Sequence, residues 1–197
     1  IDTNRPSFSQ SAFVVPNGTL QLENGTLYQR FQHGINYFDI PENELRLGIF
    51  KRAELQMSTP NAFILNRYQA TKAGATGLQT VGFKYEIGPI KNLKMMAFAI
   101  SGGLNLPTGS KLLTPQTSVQ GVLSLPYYVQ LSKNWAFCGM QSIVLTDSHG
   151  DIQYQPFVML ARGLSERASA FIEYAGYFTQ NNQAPSTQIA HFGGVYK

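Results

Sequence analysis

Six charged side chains are the residues of this sequence best placed to do chemistry: Glu23, Arg46, Glu54, Lys84, Glu86 and Glu173. Each lies in a stretch where apolar and polar residues alternate, on the polar parity of that stretch. Alternate side chains of an extended chain point to opposite faces, so all six are expected opposite the apolar residues. Glu23, Arg46, Glu54, Lys84 and Glu86 fall on the first four such stretches, which would be neighbours. Charges gathered away from bulk water are driven to pair. The plainest outcome is a salt-bridge network filling a narrow barrel; the functional one is a set of gating or selectivity charges along a passage. Paired carboxylates for acid–base catalysis are a third reading, but no nucleophile accompanies them.

Other candidates carry less. His33 and His149 fall in expected loops and His191 on the last expected strand. Asp147-Ser148-His149 has triad residue types, yet adjacency in sequence is not triad geometry, and a polar loop tip explains it better. With Asp151 the same cluster would hold a metal ion only weakly. Gly102-Gly103 and Gly193-Gly194 lack the following helix that a phosphate loop needs. The single cysteine, Cys138, excludes an intramolecular disulfide and reads as a small buried or lipid-facing residue. Asn17-Gly18-Thr19 and Asn24-Gly25-Thr26 read as turn or bulge chemistry. No catalytic residue, metal or cofactor is expected.

The elements that must position these residues are strands. Strand-like segments recur at 18–32, 42–50, 52–59, 75–88, 93–106, 118–131, 135–146, 151–163, 167–178 and 186–197, with turn signals between them. Only 61–72 has room for a helical turn. Short polar connections (51–52, 89–92, 132–134, 165–167) alternate with longer ones rich in Gly, Pro, Asn and Ser (33–41, 60–74, 107–117, 147–150, 179–185). Short turns at one end and long loops at the other describe an outer-membrane barrel, and ten strands would put both termini at the short-turn, periplasmic end. Tyr85, Tyr127, Tyr128, Trp135 and Tyr177 gather near strand ends, as an aromatic girdle does. Residues 1–16 form an irregular periplasmic lead-in. Its Phe8, Phe13, Val14 and Val15 favour docking, across the barrel mouth or inside it as a plug, over a free tail.

Composition agrees. The 197 residues are 43% hydrophobic and only 13% charged, with 18 Gly, 13 Phe and 10 Tyr. That excludes disordered and coiled-coil chains and sits well below the roughly one-quarter charged residues of soluble domains. No apolar run approaches the ~20 residues of a membrane helix. The net charge of +4 is scattered, so no nucleic-acid footprint is present. The chain opens on Ile1-Asp2-Thr3-Asn4-Arg5 and reads as a mature form.

Thr3-Asn4-Arg5-Pro6-Ser7-Phe8-Ser9 followed by Val15-Pro16-Asn17-Gly18-Thr19-Leu20-Gln21-Leu22-Glu23 resembles the opening of the MetA-pathway of phenol degradation family. Leu45-Arg46-Leu47-Gly48, Arg52-Ala53-Glu54-Leu55, Gly82-Phe83-Lys84-Tyr85 and Leu106-Pro107-Thr108-Gly109 resemble its later stations, in order, over nearly the whole chain. The resemblance implies a Gram-negative outer-membrane barrel with a transporter-like role, and by genomic association the uptake of aromatic compounds. It brings no catalytic residues. Asn4 stands where the family usually has Asp. The chain also stops at Val195-Tyr196-Lys197, where a further hairpin is expected, so the barrel either closes with about ten strands or lacks two of about twelve.

The expected protein is therefore all-β: an antiparallel up-and-down transmembrane β-barrel of about 10–12 strands over residues 17–197. It is expected in the bacterial outer membrane, monomeric and non-enzymatic, as a narrow or gated conduit for small aromatic or apolar compounds. Its expected partners are outer-membrane lipid and a small-molecule solute, with no nucleic acid. The alternatives are a structural barrel that displays loops 60–74 and 107–117 to a protein partner, and a soluble lipocalin-like binder with an apolar interior.

Overall fold

A computed structural model describes residues 4, 7–30, 35–66, 72–76, 79–88, 96–109, 118–145, 151–180 and 186–196. Their regular structure is all strand: β1 (Leu20–Arg30), β2 (Ile35–Phe50), β3 (Ala53–Asn66), β4 (Lys72–Thr76), β5 (Gln79–Glu86), β6 (Met96–Leu106), β7 (Gln120–Gln130), β8 (Trp135–Leu145), β9 (Ile152–Gly163), β10 (Ala168–Thr179) and β11 (Thr187–Tyr196). Ten of them run in sequence order through one antiparallel sheet, β1-β2-β3-β5-β6-β7-β8-β9-β10-β11, while β4 pairs with the outer half of β3. This is the up-and-down meander expected, with sequence neighbours as spatial neighbours.

Two expected loops are shorter than their composition implied. Segment 33–41 is strand from Ile35 onward, and 60–74 contains the end of β3 and the start of β4. The helical turn allowed within 61–72 does not form in its described part, which is strand. Pro41 and Pro60 read as loop signals because proline has no N–H to give a ladder. The sheet accommodates both at interruptions. Pro41 lies inside the bulge between Asp39 and Glu42, and Pro60 falls where the partner of β3 changes from β5 to β4. Asn24-Gly25-Thr26 also lies at a bulge, between Gly25 and Leu27 of β1. Gly18 supplies a turn at φ 75°.

The two faces of the sheet differ sharply. Leu22, Leu45, Phe83, Ile100, Leu125, Ile143 and Ile172 are all exposed, whereas Glu23, Arg46, Glu54, Lys84, Ser101, Ser124, Ser142 and Glu173 are buried. This is inverted relative to a lipocalin-like binder, whose apolar residues would face inward. A small apolar cluster does sit on the inner face, where Met140, Phe157 and Ala175 pack with Phe8, Tyr177 and Ile189. No helix among the described residues is long and apolar enough to cross a membrane, which says nothing about strands.

The inner face wraps around Asn4 and residues 7–16. Asn4 bonds to Glu23 of β1 and Glu44 of β2. Only four residues later, Phe8 bonds to Glu173 of β10 and its ring meets His191 of β11 at 5.1 Å. Four residues of chain span at most about 14 Å, whereas ten strands laid flat at about 4.8 Å each would be about 43 Å wide. The sheet is therefore strongly rolled, with both edges turned toward one segment. Among the described residues no backbone ladder joins β1 to β11.

Candidate functional site

The alternation of each strand delivers its charge to the inner face, and the register then decides which charges meet. Gly48 of β2 pairs with Glu54 of β3, which pairs with Lys84 of β5, so neighbouring strands set Arg46, Glu54 and Lys84 side by side. Arg46 grips Glu54 with two nitrogens, Nε to Oε1 at 2.9 Å and Nη2 to Oε2 at 3.0 Å. Its Nη1 reaches Glu23 Oε1 at 3.1 Å. Lys84 Nζ stands 2.9 Å from Glu54 Oε1, and Gln56 Nε2 donates to the same oxygen at 2.8 Å. Arg46 is 1% exposed, and Glu54 and Lys84 are 0% exposed. A bidentate guanidinium–carboxylate pair with further donors on the free lone pairs is the arrangement that makes burial of such charges tolerable.

The N-terminal segment completes this site with its backbone. Val15 N donates to Glu54 Oε2 at 2.6 Å and Val14 N to Glu86 Oε2 at 3.2 Å. Asn4 N donates to Glu23 Oε2 at 3.0 Å. Across the lumen, Phe8 N and Ser9 N donate to the two oxygens of Glu173 at 2.9 and 3.0 Å. In the other direction, Arg46 Nη2 donates to Phe13 O and Lys84 Nζ to Ser11 O, both at 3.0 Å. Among the described residues, five carboxylates (Glu23, Glu44, Glu54, Glu86, Glu173) thus face the basic side chains of Arg46 and Lys84. The surplus of acceptors is answered by peptide N–H groups and by the Asn4 amide, which donates to Glu44 at 2.8 Å.

Glycine makes room for the segment. A Cβ on Gly48 would lie 2.1 Å from Pro16 O and 2.5 Å from Val15 O, so the backbone of residues 15–16 passes directly over β2. There Gly18 N donates to Gly48 O at 2.7 Å, and Gly48 N to Thr19 O at 3.0 Å. Beyond Lys84 and Glu86 of β5, the described inner face of β5 to β8 carries uncharged hydroxyl and amide groups. Thr80 pairs with Asn105 at 2.8 Å and Ser124 with Ser142 at 2.7 Å.

All six charges expected on one face lie on the inner face, and four of them, Glu23, Arg46, Glu54 and Lys84, form one ion network. Glu86 and Glu173 hold the N-terminal backbone instead. Two partners were missed. Glu44 was hidden in the polar run Glu42-Asn43-Glu44, although it shares parity with Arg46. His191, whose Nδ1 lies 3.3 Å from Glu173 Oε2, becomes a neighbour only through the β10–β11 register.

The aromatic set divides. Tyr85 and Trp135 are exposed on the outer face, Trp135 with the Arg162 guanidinium 5.3 Å from its ring, and Tyr127 shares that parity. Tyr128 and Tyr177 belong to the inner face: Tyr128 stacks edge-on against Phe13 at 5.4 Å, and Tyr177 against Phe157 at 5.7 Å. Consecutive Tyr127 and Tyr128 cannot both face outward in a strand. Asp147-Ser148-His149 and His33 lie outside the described residues. So does most of loop 107–117, and of loop 60–74 residues 67–71 do too. Among the described residues no cluster of His, Cys, Asp and Glu is arranged to hold a metal ion.

No curated protein matches this chain. A family model described as "Putative MetA-pathway of phenol degradation" matches residues 3–190, which takes in the N-terminal segment, the ion network and every strand but the end of β11. The chain belongs to that family.

Proposed function

We propose that this protein is an outer-membrane β-barrel, non-enzymatic, whose lumen is a narrow conduit for small aromatic or apolar compounds and is held closed at rest by residues 4–16. The observation that carries the reading is the inversion of the sheet. Large apolar side chains such as Phe50, Leu20 and Phe192 are 67%, 65% and 83% exposed, while a salt-bridge network is buried on the opposite face. Such an exterior suits hydrocarbon, and an interior of ion pairs and amides suits a lumen. Strands of 10–12 residues in β6 to β11 match the ~9–11 residues that cross a bilayer at a tilt. The family's name supports aromatic compounds as the cargo class. Outer-membrane lipid and a small solute are the partners this reading requires.

The gating part follows from charge. With the segment in place, its N–H groups satisfy the surplus carboxylates. Without it, the five described carboxylates against Arg46 and Lys84 leave an acidic lumen. The test begins with SDS-gel migration of the outer-membrane fraction, boiled against unboiled, followed by planar-bilayer recording of the intact chain and of a variant lacking residues 1–15. A compact unboiled band, low conductance of the intact chain, and higher, cation-preferring conductance of the shortened one are expected. A soluble protein without a heat-dependent shift overturns the membrane reading, and equal conductance of the two chains overturns the gate.

A further inference from the structure

Two short turns, residues 131–134 between β7 and β8 and residues 164–167 between β9 and β10, lie side by side at one end of the sheet. Gly163 N donates to Asn134 O at 2.8 Å and ties one to the other. Trp135, which opens β8, pairs with Arg162 near the end of β9. Each turn is also closed by its own bonds. Leu131 N and Ser132 N donate to Trp135 O at 2.9 and 3.1 Å, and Leu164 N and Ser165 N to Ala168 O at the same two distances. This fixed pair of turns presents three basic side chains, Lys133, Arg162 and Arg167, all exposed. Glu166 is the one acidic residue on either turn. None of the three cations has an ion-pair partner among the described residues.

Apolar side chains surround these charges. Leu131, Trp135 and Leu164 are exposed beside them, and the Arg162 guanidinium stands over the Trp135 ring, 5.3 Å from its centre. Tryptophan favours the boundary between hydrocarbon and headgroups, and basic side chains at that depth attract anionic lipid. A guanidinium adds a planar fork of donors that matches phosphate oxygens. Three cations against one carboxylate favour a headgroup of net negative charge over a zwitterionic one, which brings its own cation. We propose that Lys133, Arg162 and Arg167, with Trp135, bind the headgroup of an anionic phospholipid at the short-turn rim. The acyl chains then run along the outer face of β8 and β9, where Phe137 pairs with Leu160. The site rests on the membrane reading, and it needs neither the conduit nor the gate.

Trp135 is the single tryptophan of the chain, so its fluorescence reports the lipid at this site alone. The full chain is reconstituted in vesicles of phosphatidylcholine with a minor share of phosphatidylglycerol, the same in both leaflets, so that either direction of insertion meets the same lipid. In one preparation the phosphatidylglycerol carries brominated acyl chains; in the other an equal mole fraction of the phosphatidylcholine does. Bromine quenches indole fluorescence only at close range. The brominated anionic lipid is expected to quench Trp135 roughly twofold more strongly, or better. Replacing all three cations (Lys133→Gln, Arg162→Gln, Arg167→Gln) should make the two lipids quench alike. Lys51→Gln with Arg52→Gln, on the exposed β2–β3 turn, should keep the preference, and the heat-dependent gel shift should persist in both variants. Equal quenching in the native protein, or a preference that survives the triple replacement, would overturn the site and leave the membrane reading standing. A preference lost in the β2–β3 variant would also overturn it, since overall charge would then be the cause. Quenching by neither lipid would overturn the site and the membrane reading together.

Discussion

Glu54 is the residue on which the inner face turns. It holds Arg46 with both oxygens, Lys84 with one and the Val15 amide with the other. Replacing it with Gln keeps the volume but strips the compensation from two buried cations. Breaking a buried pair from one side costs about 3–5 kcal/mol, so Glu54→Gln should lower the urea midpoint of the folded protein by the equivalent of that loss. Asn4 offers a finer test. Its amide donates to Glu44, its carbonyl oxygen accepts from Ser11 N at 2.8 Å, and it is 5% exposed. Asp in its place cannot donate and would bring a further negative charge to Glu23 and Glu44. Asn4→Asp should therefore cost about 1–3 kcal/mol, read from the same unfolding curves. At this scale parity alone located the charges, because a period of two survives any error in strand ends. It was silent on pairing, since Glu173 and His191 are eighteen residues apart and meet only through the register.

Among the elements, the N-terminal segment departs most from what periodicity can describe. It has no repeating pattern, yet its backbone bonds directly to Glu23, Arg46, Glu54, Lys84, Glu86 and Glu173. Its docking depends on β2 offering no side chain at one point. Gly48→Ala would drive a methyl group into the backbone of Val15 and Pro16, and neither is the end of a flexible side chain. The segment should lift there while the strands persist. Limited proteolysis of refolded protein should then cleave within residues 4–16 of the variant and spare the native chain, with the heat-dependent gel shift kept in both. Strand boundaries were legible where β-branched and aromatic residues alternate, as in β6 to β10, whereas the strand expected at 75–88 takes in the end of β4 together with β5. They were misread at 33–41 and 60–74, where Pro41 and Pro60 mimic loops. A proline tells only that one N–H is absent; whether a bulge or a partner change can absorb that loss is a property of the neighbouring strand.

For the whole molecule, the inversion of polarity is the feature with consequences. Leu125 occupies the centre of β7 and is 48% exposed. On a lipid-facing surface, a cation at the bilayer midplane costs about 2–4 kcal/mol, so Leu125→Arg should reduce insertion into vesicles and weaken the folded barrel by that amount. In water the same change would be nearly neutral and the protein would stay soluble, which makes vesicle flotation of the variant against the native chain decisive. The burial of the opposite face gives this prediction its force, since Ser124, bonded to Ser142, and Pro126 are buried there beside Leu125 and leave no room for the side chain.

Much of this architecture was already determined by local chemistry. Alternation set the strands and their two faces, composition marked the outer one as apolar, and short against long connections implied the meander. Those properties are local, each depending on residues within a few positions of one another. Which carboxylate meets which cation, and that Tyr128 and Tyr177 turn inward, depended on the tertiary structure. These outcomes require the sheet to roll around Asn4 and residues 7–16 and bring both of its edges to one segment. Rolling is a sum over all the strand pairings, which no stretch of sequence carries by itself.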